Sequence, residues 1–422
     1  MKKTILLVLL CSAALFAQTN FDNYFFDKAL RFDFYHVGDK DHEQIVFDRM
    51  IDQPYWAGSK VNLVDTLQYG NYMFKVFTAN HDTLLYSRGF SDLFQEWQST
   101  EEAKTNYRVF PGTAIMPFPK YKVHLEIYKR NKQVIFEKLF DYDIDPTNHF
   151  ISEERQKVYP NFKVHYSGEP SKKLDIVFIP EGYSAEEMSK FKEDCVKAAG
   201  YLFSYSPFKE DSDKINIWGI EAPSPESGTD IPGQHVWKRT LLNSNFYTFD
   251  SERYLMTTDY HNVCDVAANA PYDQIYILVN TEKYGGGAIY NYYSMTAAHH
   301  PVVAKILVHE FGHGLAGLAD EYGSDDTYQD YYPTNVEPWE PNITTLVHFD
   351  KKWKNLVEES TPIPTPDTQE YYDKIGAFEG AGYVNKGVYR STHDSLMRSF
   401  SSNEFNEVCK EVLKKVIDFY SN

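Results

Sequence analysis

From about Asn20 to Asp145, apolar and polar positions alternate in short runs. LRFDFYHVGD (30–39), QIVFDRMIDQPYW (44–56), GNYMFKVFTAN (70–80), YKVHLEIYKR (121–130) and KQVIFEKLFDYDI (132–144) each keep a partial two-residue period. That period sends successive side chains to opposite faces of a strand. Asn131 between the last two runs predicts a hairpin turn. No long helical pattern interrupts them, so the segment predicts an antiparallel β-sandwich. The polar stretch 143–160, with Pro146, marks a boundary. Beyond it, LDIVFIP (174–180), INIWGIEA (215–222) and QIYILVN (274–280) are almost continuously apolar, as in strands covered on both faces. Ser184 and Glu187 form a capping box that opens a predicted helix over 185–201. A final helix is predicted within 403–422, where Phe405, Val408, Cys409, Val412, Leu413 and Val416 share one face. Strands alternating with helices predict an α/β domain around a central mixed sheet. The expected division is a leader at 1–17, an N-terminal all-β sandwich at 18–155, and the α/β domain at 156–422.

The first residues, MKKTILLVLLCSAALFA, read as a secretory signal peptide: two lysines, a short apolar run and a small residue at the end. Cleavage after Ala17 is expected, with export to the periplasm, the cell surface or the medium. Cys11 raises a lipid-anchored alternative, but Leu10 precedes it where a small residue is needed. No later run is long enough to span a bilayer. Loss of Lys2 and Lys3 with the leader takes the formal charge from −18 to −20. That balance argues against nucleic acid and anionic membrane as partners. The three remaining cysteines, Cys195, Cys264 and Cys409, form no metal-binding spacing and are expected as buried thiols.

The chemistry concentrates in PVVAKILVHEFGHGLAGLADEY (301–322). His309 and His313 stand one turn apart on one helix face, with Glu310 between them, the H-E-x-x-H pattern of a zinc site whose glutamate activates water. The helix leading in, with Pro301 suited to its first helical position, is strongly apolar, so polar groups carried inward are costly unless used. A third ligand cannot come from a straight continuation. Asp320 would share the face but lie about 10 Å beyond His313, whereas ligand atoms sit about 2 Å from zinc. The chain must break and fold back, and Gly314 and Gly317 permit left-handed backbone there. The metzincin pattern H-E-x-x-H-x-x-G-x-x-H is met here with one extra residue before Gly317, then Asp320 at the ligand position. Asp320 is therefore favoured, with Glu321 or a distant residue as the alternatives.

HEFGHGLAGLADEY resembles the zinc motif of the IgA-peptidase family of metallopeptidases, which is metzincin-like. LDIVFIPEGYSAEEMSKF (174–191) is similar to that family's first strand and helix. GAGYVNKGVYRSTHDSLMRSF (380–400) is similar to its late active-site segment, with Ser395-Leu396-Met397 as a methionine turn. The resemblance spans roughly 160–422 and, more weakly, the β-rich region before it. It implies a zinc metallopeptidase catalytic domain with one Zn²⁺ per chain, ligands His309, His313 and Asp320, and Glu310 catalytic. It implies a protein or peptide substrate, but a family name does not fix which one.

Further candidates follow from position. The segment AIYNYYS, from Ala288, Ile289 and Tyr290 onward, is the expected edge strand that pairs with extended substrate, by resemblance and by its place before the zinc helix. Tyr389 and Arg390, just before the methionine turn, are candidates to stabilise the oxyanion. Gly285–Gly287 lack the lysine of a phosphate loop and suit close backbone approach. His299 and His300 are expected at capping or surface positions. His36, His42 and His81 look scattered, at surface or turn positions. Asp325, Asp326 and Asp330 are a calcium candidate without the full loop pattern. The expected activity is zinc-dependent endopeptidase hydrolysis, with immunoglobulin or other glycoproteins among the conceivable substrates. A zinc amidase acting on cell-wall or glycan-linked peptides and a catalytically silent binding protein are the alternatives. The sequence does not set the oligomeric state.

Overall fold

The computed structural model describes residues 20–155, 157–323 and 332–422. The expected leader at 1–17 and the calcium candidates Asp325, Asp326 and Asp330 lie outside the described residues.

After a short helix, α1 (Phe21–Tyr24), the alternating runs form β1 (Phe25–Gly38), β2 (Glu43–Gln53), β3 (Tyr72–Thr78), β4 (Leu84–Phe90), β5 (Arg108–Pro119), β6 (Val123–Arg130), β7 (Phe136–Ile144) and β8 (Ile151–Ser152). They make two four-stranded sheets, ordered β5-β1-β2-β8 and β4-β3-β6-β7. All pairings are antiparallel except β2 with β8. The inward faces meet in one core that includes Leu30, Phe32, Phe34, Phe74, Val76, Leu125 and Ile127. A helix the pattern missed, α2 (Leu93–Trp97), interrupts the strands and is capped by Asp92. Its Leu93, Phe94 and Trp97 pack away from the sandwich core, against Ile179, Leu242, Phe246 and Met256 of the second half.

In the second half, β9 (Asn161–His165), β10 (Leu174–Glu181), β11 (Ile215–Ile220), β12 (Gln274–Val279), β13 (Gly286–Ile289) and β14 (Tyr293–Ala297) form one sheet, ordered β13-β14-β12-β10-β11-β9. The four inner strands are parallel and the two edges antiparallel. Strand β10 shows why these runs read as continuously apolar. Ile176 and Phe178 join a core on one face, while Val177 and Ile179 join a core on the other. The first face is covered by α3 (Met188–Leu202), α5 (Val303–Ala316) and α6 (Glu407–Ser421). The second is covered by α4 (Tyr260–Ala267), together with α2 from the N-terminal half. A small sheet of β15 (Ile343–Thr344), β16 (Phe378–Ala381) and β17 (Val384–Arg390) follows α5. Cys195, Cys264 and Cys409 are free and buried. Among the described residues no helix is long and apolar enough to cross a membrane.

Two local expectations need correction. The edge strand spans 286–289 rather than 288–294. Asn291, at φ +50, turns the chain, and 293–297 form the neighbouring strand. The helix carrying the histidines begins at Val303, so Pro301 precedes it instead of occupying its first turn.

Candidate metal centre and active site

Helix α5 buries Val303, Ile306, Leu307, Val308, Phe311 and Leu315. Its remaining face carries His309, Glu310 and His313 into a cleft of about 680 Å³. The helix stops because Gly317 adopts the left-handed region (φ +60), donating its N–H to the His313 carbonyl at 2.9 Å. Gly314 does not take part in that break. It lies inside the helix, where a Cβ would stand 2.1 Å from Ser294 Oγ, so its role is to let β14 approach. Past Gly317 the chain folds back. Asn342 holds Ala319 from both sides, accepting from its N–H at 2.7 Å and donating to its carbonyl at 2.9 Å. Asp320 then returns over the histidines.

The donor atoms converge. His309 Nε2 and His313 Nε2 are 3.1 Å apart. Asp320 Oδ1 is 3.2 Å from the first and 3.5 Å from the second. Ligand atoms about 2.0–2.1 Å from a tetrahedral ion stand about 3.3 Å from one another, so one ion fits the triangle. The proton inventory points the same way. His309 Nδ1 faces the Leu396 carbonyl at 3.0 Å, and His313 Nδ1 faces the Leu318 carbonyl. A carbonyl only accepts, so each Nδ1 carries a hydrogen, and each ring in its neutral form turns a bare Nε2 lone pair inward. Asp320 Oδ1 is buried without a hydrogen-bond partner. With both rings neutral, three lone pairs meet with no donor between them, an arrangement a cation completes. Without a metal ion, a proton on His313 facing Asp320 meets the same demand for positive charge. Burial pulls the His313 imidazole down, but the Asp320 carboxylate prevails and lifts it to about 9. Burial would raise Asp320, yet the adjacent histidines hold it well below the usual carboxylate range.

Tyr383 donates its hydroxyl to Asp320 Oδ2, and Gly382 N–H donates to the Asp320 carbonyl at 2.8 Å. Glu321, the alternative ligand, is committed elsewhere. It accepts from Asn342, Ser395, Asn406 and the Cys409 thiol in a buried pocket. Met397 is fully buried, and its Sδ would stand 3.1 Å from a Cβ at Gly312, directly beneath the histidine turn. Glu310 is half-buried in the cleft and raised by burial. Gly286 lies so close that a Cβ there would be 3.2 Å from Glu310 Cγ. Gly286 to Tyr290 line the cleft beside the helix. Within that stretch Ala288 is half-buried and accessible, whereas Ile289 and Tyr290 are buried, Tyr290 against Trp339 and Tyr69.

Tyr389 and Arg390 do not line the cleft. Arg390 donates to the carbonyls of Glu379, Gly380 and His393 and so pins its own sheet. Tyr389 packs in a satellite cluster with Phe349 and Trp353. The cleft cations are instead Arg253, and Arg398 beside Asp394. His299 is also structural, facing Asp194 at 2.7 Å. Sequence reasoning missed Arg253, Tyr254, Tyr284, Tyr322 and Tyr383, which crowd the mouth of the site. It also missed the contribution of the N-terminal half: Asn71, Ser91, Gln95 and Glu96 line the same cleft. Glu96 is buried beneath the Tyr254 hydroxyl and pushed up to about 7, chiefly by that burial. Of these, Tyr322 and Tyr383 lay inside stretches already singled out for the zinc site, and Asn71 lay in one of the quoted strand runs.

A histidine pair one turn apart, a carboxylate folded back onto it and a glutamate facing an open cleft form the kind of site a metallopeptidase uses. The chain belongs to the IgA Peptidase M64 family. That family's sequence profile matches residues 162–375 and 367–417, and the profile of the Peptidase M64 N-terminus matches residues 20–141. No curated protein matches the chain.

Proposed function

We propose that this peptidase is an exported zinc-dependent endopeptidase of metzincin-like design. The observation that carries the reading is the triangle of His309 Nε2, His313 Nε2 and Asp320 Oδ1, 3.1–3.5 Å on each side, with each ring's Nδ1 turned outward to a backbone carbonyl. Zn²⁺ held by these three residues would supply a Lewis acid and lower the pKa of a water at the open position. Glu310, which lines the same cleft, would take the proton from that water and return it to the leaving amine. Its raised affinity for protons, due first to burial, suits both halves of that exchange. Tyr383 fixes the orientation of Asp320, and the Leu396 carbonyl, next to Met397, fixes that of His309. Extended substrate would pair with the cleft edge of β13 at Ala288, with Ile289 and Tyr290 behind it supporting the strand.

The test is the metal content of tag-free wild type beside Asp320→Ala, each assayed for hydrolysis of unfolded protein. One tightly held zinc in the catalytic triangle, lost with activity in Asp320→Ala, supports the reading. Zinc and activity both retained in the variant would sink it.

A further inference from the structure

His81, His124 and Glu126 also come together, far apart in sequence but adjacent on the sheet β4-β3-β6-β7. Strand pairing sets His124 of β6 opposite Phe77 of β3 and Asp143 of β7. The His124 side chain is buried, and its Nδ1 lies 2.7 Å from Asp143 Oδ1. A carboxylate accepts, so Nδ1 carries the hydrogen, and a metal-binding, neutral ring would present Nε2 as a bare lone pair. That Nε2 is buried and has no hydrogen-bond partner. Glu126 Oε1 stands 3.7 Å from it. The His81 ring lies over the His124 ring at 3.7 Å between centroids. One donor atom from each of the three lies within 4.8 Å of the other two.

We propose that the N-terminal sandwich holds a second metal site here, taking a divalent transition ion such as Zn²⁺ on His81, His124 Nε2 and Glu126. Two imidazoles and a carboxylate are the donor set such ions prefer. Asp143 plays the part of the carboxylate that orients a ligating histidine from behind. The turn carrying His81 is braced for the purpose. Asp82 accepts from Thr78 Oγ1, Asn80 Nδ2 and Thr83 Oγ1 at 2.6–2.9 Å, and His81 itself takes a left-handed backbone, φ +61. The site is wider than the catalytic triangle. Closing it needs an inward rotation of His81, the exposed member, and displacement of Lys138, which sits 3.3 Å from Glu126 Oε1 with 45% of its side chain exposed. Both are inexpensive motions at a surface, and they make this the weaker of the two sites. None of the three residues lines the cleft, so the ion would clasp the β3–β4 turn to β6 rather than join the reaction. The third cluster of possible ligands, Asp33, Asp48 and His261, is different: Arg31 and Arg49 already neutralise Asp33. The competing arrangement at His124 is an imidazolium held between Asp143 and Glu126, with His81 merely stacked.

The experiment uses the full, tag-free chain with His309→Ala and His313→Ala, which removes the catalytic triangle. Zn²⁺ is titrated into the chelator-treated protein against a competing dye. The expected result is one bound equivalent, weakened at least tenfold by His124→Ala and likewise by His81→Ala. Because His81 is exposed, its variant folds normally and separates loss of a ligand from loss of structure. In the wild-type background, His81→Ala should leave peptide hydrolysis unchanged. No zinc uptake in the double variant, or uptake that survives His81→Ala and His124→Ala alike, overturns the proposal. The zinc titration is independent of whether the catalytic triangle binds zinc.

Discussion

Asp320 reaches the histidines because several residues outside the motif hold the returning chain. Asn342 takes both backbone groups of Ala319 and also donates to Glu321 Oε1 at 3.0 Å. Replacing it with alanine orphans buried groups on two sides. Asn342→Ala should cost about 2–6 kcal/mol of stability, at roughly 1–3 kcal/mol for each of the two stranded Ala319 backbone groups. It should also weaken zinc binding by about 10–100-fold, as loss of a supporting residue does. Denaturant unfolding and zinc competition measure the two effects; a stable variant with unchanged zinc affinity would refute the supporting role. Glu310 behaves differently, because it supports nothing. Glu310→Gln should keep its zinc and lose about 10²–10⁴ in kcat, the range of a general base. The contrast explains what could be read from the sequence. His309, Glu310 and His313 are legible because helical periodicity alone brings them together. Asp320 is legible once the ligand distance rules out a straight helix. Asn342, Tyr383 and Arg253 are supplied by loops and short strands remote in sequence, and no local period announces them. Tyr389 and Arg390 misled for a related reason: proximity to Met397 along the chain did not place them in the cleft.

At the scale of elements, the apolar runs identified the buried strands well. β10, β11 and β12 begin where the pattern starts and stop within two residues of where it ends. The edge strand was harder. Its glycines carry no hydrophobic signal, and the aromatic run after it divides between a turn and the next strand. The structure adds a restriction on how that edge can work. Ala297 N–H donates to the Gly285 carbonyl, so by antiparallel alternation Gly287 and Ile289 also face β14, while Gly286, Ala288 and Tyr290 face outward. Gly286 is already engaged by Arg253 and Leu255, and the Tyr290 carbonyl by Ser91 N–H. Ala288 is left as the middle of a short open window. A peptide can therefore form few backbone hydrogen bonds with this edge, and specificity must come from the aromatic walls. N-methylation scanned along a good substrate should find a single strongly sensitive position near the scissile bond. Sensitivity spread evenly over a long stretch would show that the flanking segments move aside.

For the whole molecule, the consequential fact is that the two halves share both a core and a cleft. Alternation and the polar stretch near 143–160 suggested a division into two units. The packing is closer than that. Leu93, Phe94, Trp97 and Phe110 come from the N-terminal half, are at most 1% exposed, and belong to the core on one face of the catalytic sheet. Each such side chain stabilises by about 1.5–3 kcal/mol when fully buried. Stripping away all four would remove several kcal/mol from a fold whose net stability is about 5–15 kcal/mol. It would also take Asn71, Ser91, Gln95 and Glu96 from the cleft and release the Ser91 clamp on Tyr290. Residues 157–422 expressed alone should therefore be poorly folded and inactive, while the same halves produced by a single cut near Glu153 should stay associated and hydrolyse peptide. Trp97→Ala in the intact chain should cost about 3–5 kcal/mol, as deletion of a buried aromatic does. It should also lower turnover more than an equally destabilising change inside the sandwich core, such as Phe32→Ala, which touches neither the cleft nor its walls. Equal losses of activity in the two variants, compared where both are fully folded, would mean that the N-terminal half props up the catalytic sheet without shaping its site.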